Sequence, residues 1–294
     1  MSDLAQVPSL VAVSGRPPNR WRALLRSPSG MTGLVIVVLL LILSVVSLLG
    51  LLPYDPVAQD PPARLQPPSG QHWFGTDQFG RDVFSRVAAG VANSALVAIV
   101  AVTFATVVGT LGGLVAGFIR GVPDVAIGAV TNVLFAFPPL LLALTLASVF
   151  SRNWFTVAVA IAVVYVPIFV RVTRGPVLTL REVEFVKAAT TTGQSRRATM
   201  FRHVLPNIGA IIIVQVTLSL SWAVLTEASL SFLGAGLPAP EASWGVMVED
   251  GRALIATGWW VSLFPGFAIL VTVLAFNSLG DWLRDRFDPK TRQA

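Results

Sequence analysis

Six long apolar runs, separated by stretches in which Arg, Asp, Pro and Gly gather, divide this sequence: residues 31–52, 87–119, 125–151, 153–170, 208–233 and 253–280. A helix rises about 1.5 Å per residue, so about 20 apolar residues cross the roughly 30 Å hydrocarbon core of a bilayer. Every run approaches or exceeds that length. Backbone amides left unpaired in lipid are too costly to tolerate, and the alternating pattern of a membrane barrel never yields apolar runs this long. The pattern predicts an all-α polytopic membrane protein with about six transmembrane helices. It divides into a tail (1–30), a first transmembrane helix (31–52), an outer segment (53–86), a five-helix core (87–280) holding a loop at 173–207, and a second tail (281–294).

Composition supports the lipid solvent, since 54% of residues are hydrophobic and only 12% charged, against about a quarter charged in soluble domains. The net charge of +6 does not point to nucleic acid, because the basic residues lie between the apolar runs, where they set membrane orientation. If the N-terminal end, with Arg16, Arg20, Arg22 and Arg26, is cytoplasmic, the same side receives Arg120, seven basic residues between 171 and 202, and four in the tail. The other side receives only Arg64, Arg81, Arg86, Arg152 and Arg252, so both termini are expected in the cytoplasm. The first run follows basic residues as a signal peptide would, but no small-residue cleavage site ends it, and it reads as a retained anchor. Trp73, Trp154, Trp244, Trp259 and Trp260 sit near run ends, where amphipathic rings suit the membrane interface. Residues 1–20, with Pro17 and Pro18, read as a poorly ordered tail without chemistry. No cysteine is present and only His72 and His203 could offer imidazole, so thiolate and His-rich metal sites have no ligands here.

The segment 179–207 is too long for a connector and reads as two short helices. Thr179 and Glu182 form a capping-box pattern, helix formers continue through Glu184, Lys187, Ala188 and Ala189, and Gly193 offers a left-handed stop. Ser195 can cap a second helix running through Met200, Phe201 and Val204 until Pro206 blocks it, just before the run at 208. This is either a docking knob or a solvated amphipathic loop. Asp77 with Arg81 and Asp82 with Arg86 have ion-pair spacing if the outer segment is helical, whether for contact with another protein or as a self-stabilising surface helix. Gly109, Gly113 and Gly117 repeat every four residues, which lets a second helix come close, within the chain or between chains. Glu227 is the one charged residue inside an expected span, so it must face protein or water, as a contact for cargo or for a polar group of a partner. Asn132 joins it as a candidate for the translocation pathway or a partner contact. Pro138, Pro139 and Pro167 are expected to bend their helices, and Asp281, Arg284, Asp285 and Arg286 read as a solvated terminus.

The run EFVKAATTTGQSRRATMFRHVLPN, residues 184–207, resembles the EAA loop of binding-protein-dependent ABC importer permeases. Lys187, Ala188, Ala189, Gly193, Leu205 and Pro206 fall at the family's positions; Lys187 replaces its Glu and His203 its Ile. Both departures resemble the peptide-permease branch, and Glu184 is the candidate to take over part of the missing carboxylate's role. HWFGTDQFGRDVFSR (72–86), SLSFLGAGLPAPEASWGVMV (229–248) and LFPGFAILVTVLAFNSLGDWLRDRFDPK (263–290) are similar to C-type permeases of dipeptide and oligopeptide importers. The resemblance implies a heterodimer with a second permease, two cytoplasmic ATPase subunits using ATP and Mg, an extracytoplasmic binding protein or lipoprotein, and a peptide cargo. Related permeases carry nickel complexes or haem. It also implies that ATPase dimerisation pushes on the loop and reorients the spans between inward- and outward-facing states.

The sequence gives a separate reason to look for an ATPase partner. Its two lysines, Lys187 and Lys290, follow Val186 and Pro289, so no Gly-Lys pair exists from which to build a P-loop. A stand-alone secondary transporter would need ion-coupling groups, and one membrane carboxylate without a detectable inverted repeat argues against it. An intramembrane enzyme lacks an H-E-x-x-H motif, a thiol, or a Ser and His pair within the spans.

Overall fold

The computed structural model describes residues 27–150 and 152–287, and among these every regular element is helical. Besides one 3-10 turn at Pro61–Ala63, they are in chain order α1 (Pro28–Leu48), α2 (Val83–Ile119), α3 (Val122–Ala136), α4 (Pro139–Val149), α5 (Trp154–Leu180), α6 (Glu184–Thr191), α7 (Arg196–Phe232), α8 (Trp244–Arg252), α9 (Ile255–Gly258) and α10 (Trp260–Phe287). Five of them, α1, α2, α5, α7 and α10, are long and apolar enough to cross a membrane. Residues 1–26 of the tail expected at 1–30, with its four arginines, and residues 288–294, with Lys290, lie outside the described residues.

The sixth crossing is broken. α3 and α4 meet at 94°, because Pro138 holds the preceding Phe137 in extended backbone (ψ 141°) and supplies no amide to continue α3. α2 and α5 run parallel, Gly109 lying beside Phe169 and Gly117 beside Val177, so α3 and α4 together must return the chain across the full thickness. Pro167 does not interrupt its helix: α5 passes through both Pro167 and Pro176 and reaches Leu180, ten residues beyond the expected end of the run at 170.

The glycine ridge of α2 packs inside the chain. A Cβ on Gly113 would stand 2.5 Å from the Val170 carbonyl oxygen and 2.7 Å from Thr173 Cβ, so the helix backbones touch directly. Ala98, Ala101 and Ala105 of α2 extend the buried seam, with Ala158, Ile161 and Ala162 of α5 also in the core. Small residues replace the solvent-driven burial that cannot operate between helices in lipid, where close van der Waals contact is the main attraction.

Opposite the 181–195 end, residues 49–82 and 233–259 fold into a cap. The Trp244 indole donates to the Val87 carbonyl at 3.0 Å, and that of Trp260 to the Thr76 carbonyl at 2.9 Å. Phe74 stacks on Phe264 at 3.9 Å with the rings 7° apart. Trp244 and Trp260 therefore serve the cap's interior and not the membrane interface, whereas Trp73, Trp154 and Trp259 remain exposed as expected. The last apolar run, expected from 253, becomes a membrane helix only at Trp260, and the presumed terminus at 281 continues as helix through Phe287.

Candidate functional site

Three places gather the residues singled out by sequence: a projecting loop at one end, a cavity at the broken span, and the opposite cap.

In the loop the capping box at Thr179 does not form. α5 runs on through it, and the Glu182 amide donates to the Thr179 carbonyl at 3.1 Å as part of the turn that ends α5. The helix carrying Lys187, Ala188 and Ala189 starts instead at Glu184, whose carboxylate lies in the first turn, where the helix dipole favours it. Gly193 adopts φ +84°, and the Ser195 hydroxyl accepts from the Ala198 amide at 3.3 Å, so stop and cap form as expected. Pro206 is not a stop. One turn of π-helix at Met200–Val204 lets the Leu205 amide reach back to the Met200 carbonyl, which shifts the hydrogen-bond register ahead of the proline, so that α7 continues unbroken for 37 residues. Asn207 donates its side-chain amide to the His203 carbonyl at 2.6 Å. At about 55 Å, α7 is longer than a bilayer is thick, and its first turns stand clear of the membrane beside α6.

Val186, Met200, Val204 and Ile208 form the loop's own core with Leu114, Phe118 and Val177. The projection is thereby a rigid extension of α2, α5 and α7, while Val183, Phe185 and Phe201 stay exposed on it. Lys187 Nζ lies 3.1 Å from the Glu182 carboxylate, so the acid beside it is Glu182 and not Glu184. The lysine's hydrogen bond holds the Glu182 carboxyl below the usual range.

The bend between α3 and α4 opens a cavity of about 570 Å³ against α5 and α7, with Phe135, Phe137, Tyr165, Gln215, Ser219 and Trp222 in its walls. The polar groups of its lining side chains are hydroxyls, one amide and the Trp222 indole; the Tyr165 hydroxyl meets Thr226 Oγ1 at 3.2 Å. Asn132 stands on α3 beside it, accepting from Arg171 Nη2 at 3.1 Å, and the Arg171 guanidinium lies 4.0 Å from the centre of the Phe135 ring. Sequence reasoning identified Asn132 but not Arg171, which had been counted only for orientation.

Glu227 does not reach this cavity. It is fully buried among its own chain's residues: its Oε1 accepts from Ser231 Oγ at 2.8 Å, and Ser231 Oγ in turn accepts from Ser243 Oγ at 3.4 Å. A contact with partner or cargo is therefore replaced by an internal link between α7 and the residue that caps α8. Glu227→Gln keeps an acceptor oxygen toward Ser231 and is expected to alter the stability of the purified chain by no more than about 1 kcal/mol, read from thermal melting in detergent. A drop of several kcal/mol would mean that the carboxyl itself is required.

The four charged residues of the 72–86 segment do not share one helix and are not exposed: Asp77 and Arg81 lie in a turn, Asp82 at the N-cap of α2 and Arg86 in its first turn. Asp77 and Arg81 pair at 2.5 Å across a tight turn, in which Asp77 Oδ1 also accepts from the amides of Phe79 and Arg81. Asp82 does not pair with Arg86. It caps α2 by accepting from the Ser85 amide at 2.8 Å and meets His72 Nδ1 at 2.9 Å. Arg86 turns to Asp77 at 3.6 Å and donates to the Pro56 carbonyl at 3.1 Å. Arg81 Nη2 also reaches Asp250 of α8 at 3.5 Å; burial pushes that carboxyl above its usual range, and Arg81 and Arg86 pull it back. Side-chain exposures of 2–6% for Asp77, Arg81 and Arg86 make this an internal clasp between the two outer segments.

Residues 109–293 match the family described as binding-protein-dependent transport system inner membrane component, and residues 19–68 match the N-terminal TM domain of oligopeptide transport permease C. The chain is 45% identical over 233 residues to the dipeptide transport system permease protein DppC of Alkalihalophilus pseudofirmus, covering 79% of this chain and 77% of that one. It is 37% identical to the glutathione transport system permease protein GsiD of Pectobacterium atrosepticum, over 98% of this chain and 97% of that one. For the oligopeptide transport system permease protein OppC of Bacillus subtilis the figures are 35%, 96% and 93%. Among solved structures, an amino acid ABC transporter crystallised with histidines shares the fold at TM-score 0.52 and 14% identity, covering 69% of this chain and 95% of the other.

Proposed function

Because the chain belongs to the family of binding-protein-dependent transport system inner membrane components, we propose that it is the membrane permease subunit of an ATP-driven importer carrying peptides across the cytoplasmic membrane. The observation that carries the mechanism is the projecting loop at residues 181–207, exposed on one side and locked by its own small core to three membrane helices. A push on α6 is passed to α2, α5 and α7 as one body, because packed apolar contacts shift between discrete arrangements and do not deform smoothly.

In this reading two cytoplasmic ATPase subunits bind ATP and Mg and dock on the loop, with Glu184, Lys187, Ala188, Ala189, Gly193, Ser195, Leu205 and Pro206 setting its shape. A second, homologous permease faces the exposed surfaces of α3 and α4 and completes the cavity beside Tyr165 and Gln215 as a passage. An extracytoplasmic binding protein or lipoprotein docks on the cap around the Asp77, Arg81, Asp82 and Arg86 segment. Both termini are cytoplasmic, in keeping with the excess of basic residues on that side. Peptide cargo is supported by the dipeptide, oligopeptide and glutathione relatives; nickel complexes and haem are the other cargoes within the family. This subunit performs no bond chemistry. It converts a nucleotide-dependent equilibrium of its partners into exposure of the cavity to one side or the other.

The test is ATP hydrolysis and labelled-peptide uptake in proteoliposomes by the complex purified through this chain, with and without Gly193→Ala. No atom lies within 4 Å of a Cβ built on Gly193, so the substitution adds no clash and acts only through φ +84°, at a cost of about 1–2 kcal/mol. About a tenfold loss of uptake, with the ATPase subunits retained, is the expected result. Uptake by the wild-type chain without any ATPase subunit would sink the reading in favour of a secondary transporter.

A further inference from the structure

Two arginines stand one turn apart on the membrane-crossing helix α5, and their charges are handled differently. Arg174 is neutralised: its guanidinium grips the Asp124 carboxylate at 2.6 and 2.8 Å and ties the start of α3 to α5. Arg171 is held only by neutral groups, the Asn132 side-chain oxygen at 3.1 Å and the Phe135 ring at 4.0 Å, and among the described residues no carboxylate comes within 4 Å of it. A cation on a spanning helix is costly unless it faces protein or a watery path, and here the helix sets its direction. Val164, Tyr165 and Ile168 line the cavity at the broken span. Arg171, three residues after Ile168 and seven after Val164, continues that face one turn nearer the projecting loop. On α3 the wall residue Phe135 and, three residues earlier, Asn132 follow the same course. No side chain in the cavity wall is charged at neutral pH, so Arg171 is the fixed charge at its loop-side mouth.

We propose that Arg171 receives the terminal carboxylate of the peptide cargo at this mouth, an inference that rests on the permease reading. A guanidinium carries five N–H donors in a planar fork that matches a carboxylate through two parallel hydrogen bonds. One of the five is directed at Asn132; the ring beneath steadies the plane without cancelling the charge, so donors and charge both remain for an incoming anion. The cavity, about 570 Å³, is in the range that holds small ligands. Its hydroxyls, amide and aromatic rings accept varied side chains, whereas a terminal carboxylate is common to every linear peptide. A single cation at the mouth therefore orients cargo of differing sequence by the one end they share. The geometry favours cargo over a carboxylate of the second permease because Arg171 continues the cavity face of α5 and stacks on a ring of the cavity wall.

The test is uptake of one labelled dipeptide, as the free acid and as its C-terminal amide, by proteoliposomes holding the whole complex with its binding protein, for wild type, Arg171→Gln and Arg171→Lys. Any preference of the binding protein is common to the three complexes, so a change in the acid-to-amide ratio of kcat/KM belongs to this chain. Arg171→Gln is expected to lower that ratio about tenfold, and Arg171→Lys to restore most of it. Equal losses for acid and amide in Arg171→Gln overturn the inference by making Arg171 a structural residue. If Arg171→Gln does not assemble, the wild-type complex decides: phenylglyoxal modification of Arg171, mapped by mass spectrometry, is expected to slow in millimolar dipeptide acid and not in the amide. Equal rates in the two peptides, including those of an arginine already shielded by the second permease, overturn it. A wild-type complex that hydrolyses ATP but imports neither peptide overturns the peptide-importer reading itself, while the labelling still reads whether Arg171 takes a carboxylate.

Discussion

Asp77→Ala is expected to unlatch the outer cap and cost the folded chain about 3–5 kcal/mol, the range for removing one partner of a buried ion pair. The single carboxylate faces two guanidiniums: Arg81 Nε at 2.5 Å and Arg86 Nε at 3.6 Å. It also accepts from the amides of Phe79 and Arg81. Its loss strands two buried cations and two turn amides together, with only Asp250, 3.5 Å from Arg81 Nη2, left to compensate. The Pro56 carbonyl bound by Arg86 and the Leu65 amide bound to the Asp77 carbonyl are part of the same fold, so residues 54–82 are expected to loosen from α8 as a unit. Limited proteolysis of the purified chain in detergent, together with its melting temperature, reads this directly. Protection of the 54–82 segment equal to wild type would show that hydrophobic contacts such as Phe74 on Phe264 hold the cap without the ions. Asp77→Asn separates the contributions, because it keeps the turn acceptor while removing the charge.

Gly113→Val is expected to cost about 3 kcal/mol or more, toward the upper end of what overpacking a close-packed core requires. The added Cβ meets the Val170 carbonyl oxygen at 2.5 Å and the Arg174 amide nitrogen at 3.1 Å, and neither backbone atom can move without shifting α5 itself. The change reaches function as well, because α5 carries Tyr165 and Ile168 in the cavity wall and Val177 in the core of the projecting loop. Gly128→Val is the control: nothing lies within 4 Å of a Cβ built there, and its helix-propensity effect is only a few tenths of a kcal/mol. Melting and complex assembly that fall for Gly113→Val and hold for Gly128→Val support the packed ridge. If the two behave alike, the close approach of α2 and α5 is not a major source of stability.

The loop was the most legible part of the site, for a local reason. Gly193 and Ser195 act on their own backbone and on amides within three residues, so a left-handed stop and a cap can be read from a few neighbouring letters. The same local reasoning failed at Thr179 and Pro206. Packing of Val177 and Val204 into the core below carries α5 and α7 past both signals, and a π turn is a cheaper way to accommodate the proline than ending a buried helix. Arg171 left no such signal. Its place beside the cavity depends on Phe135 and Asn132, more than thirty positions away and brought near by the break at Pro138.

The sequence by itself determined what depends on composition and short-range order: a helical membrane chain, the number of crossings, the glycine ridge, the break at the paired prolines, and a loop resembling those that receive an ATPase. Each rests on apolar length or on geometry within one or two turns. Only the tertiary structure decided where the charges went. Asp77, Asp82, Arg86 and Glu227 all had spacings or positions that suggested exposure or a partner, yet all four are buried within the chain. A charged side chain's partner is chosen by which cations, hydroxyls and carbonyls the fold brings within about 3–4 Å, and for Arg81 that set includes a residue 169 positions away. The cost of leaving such a group unpaired is visible only once the fold has removed it from water.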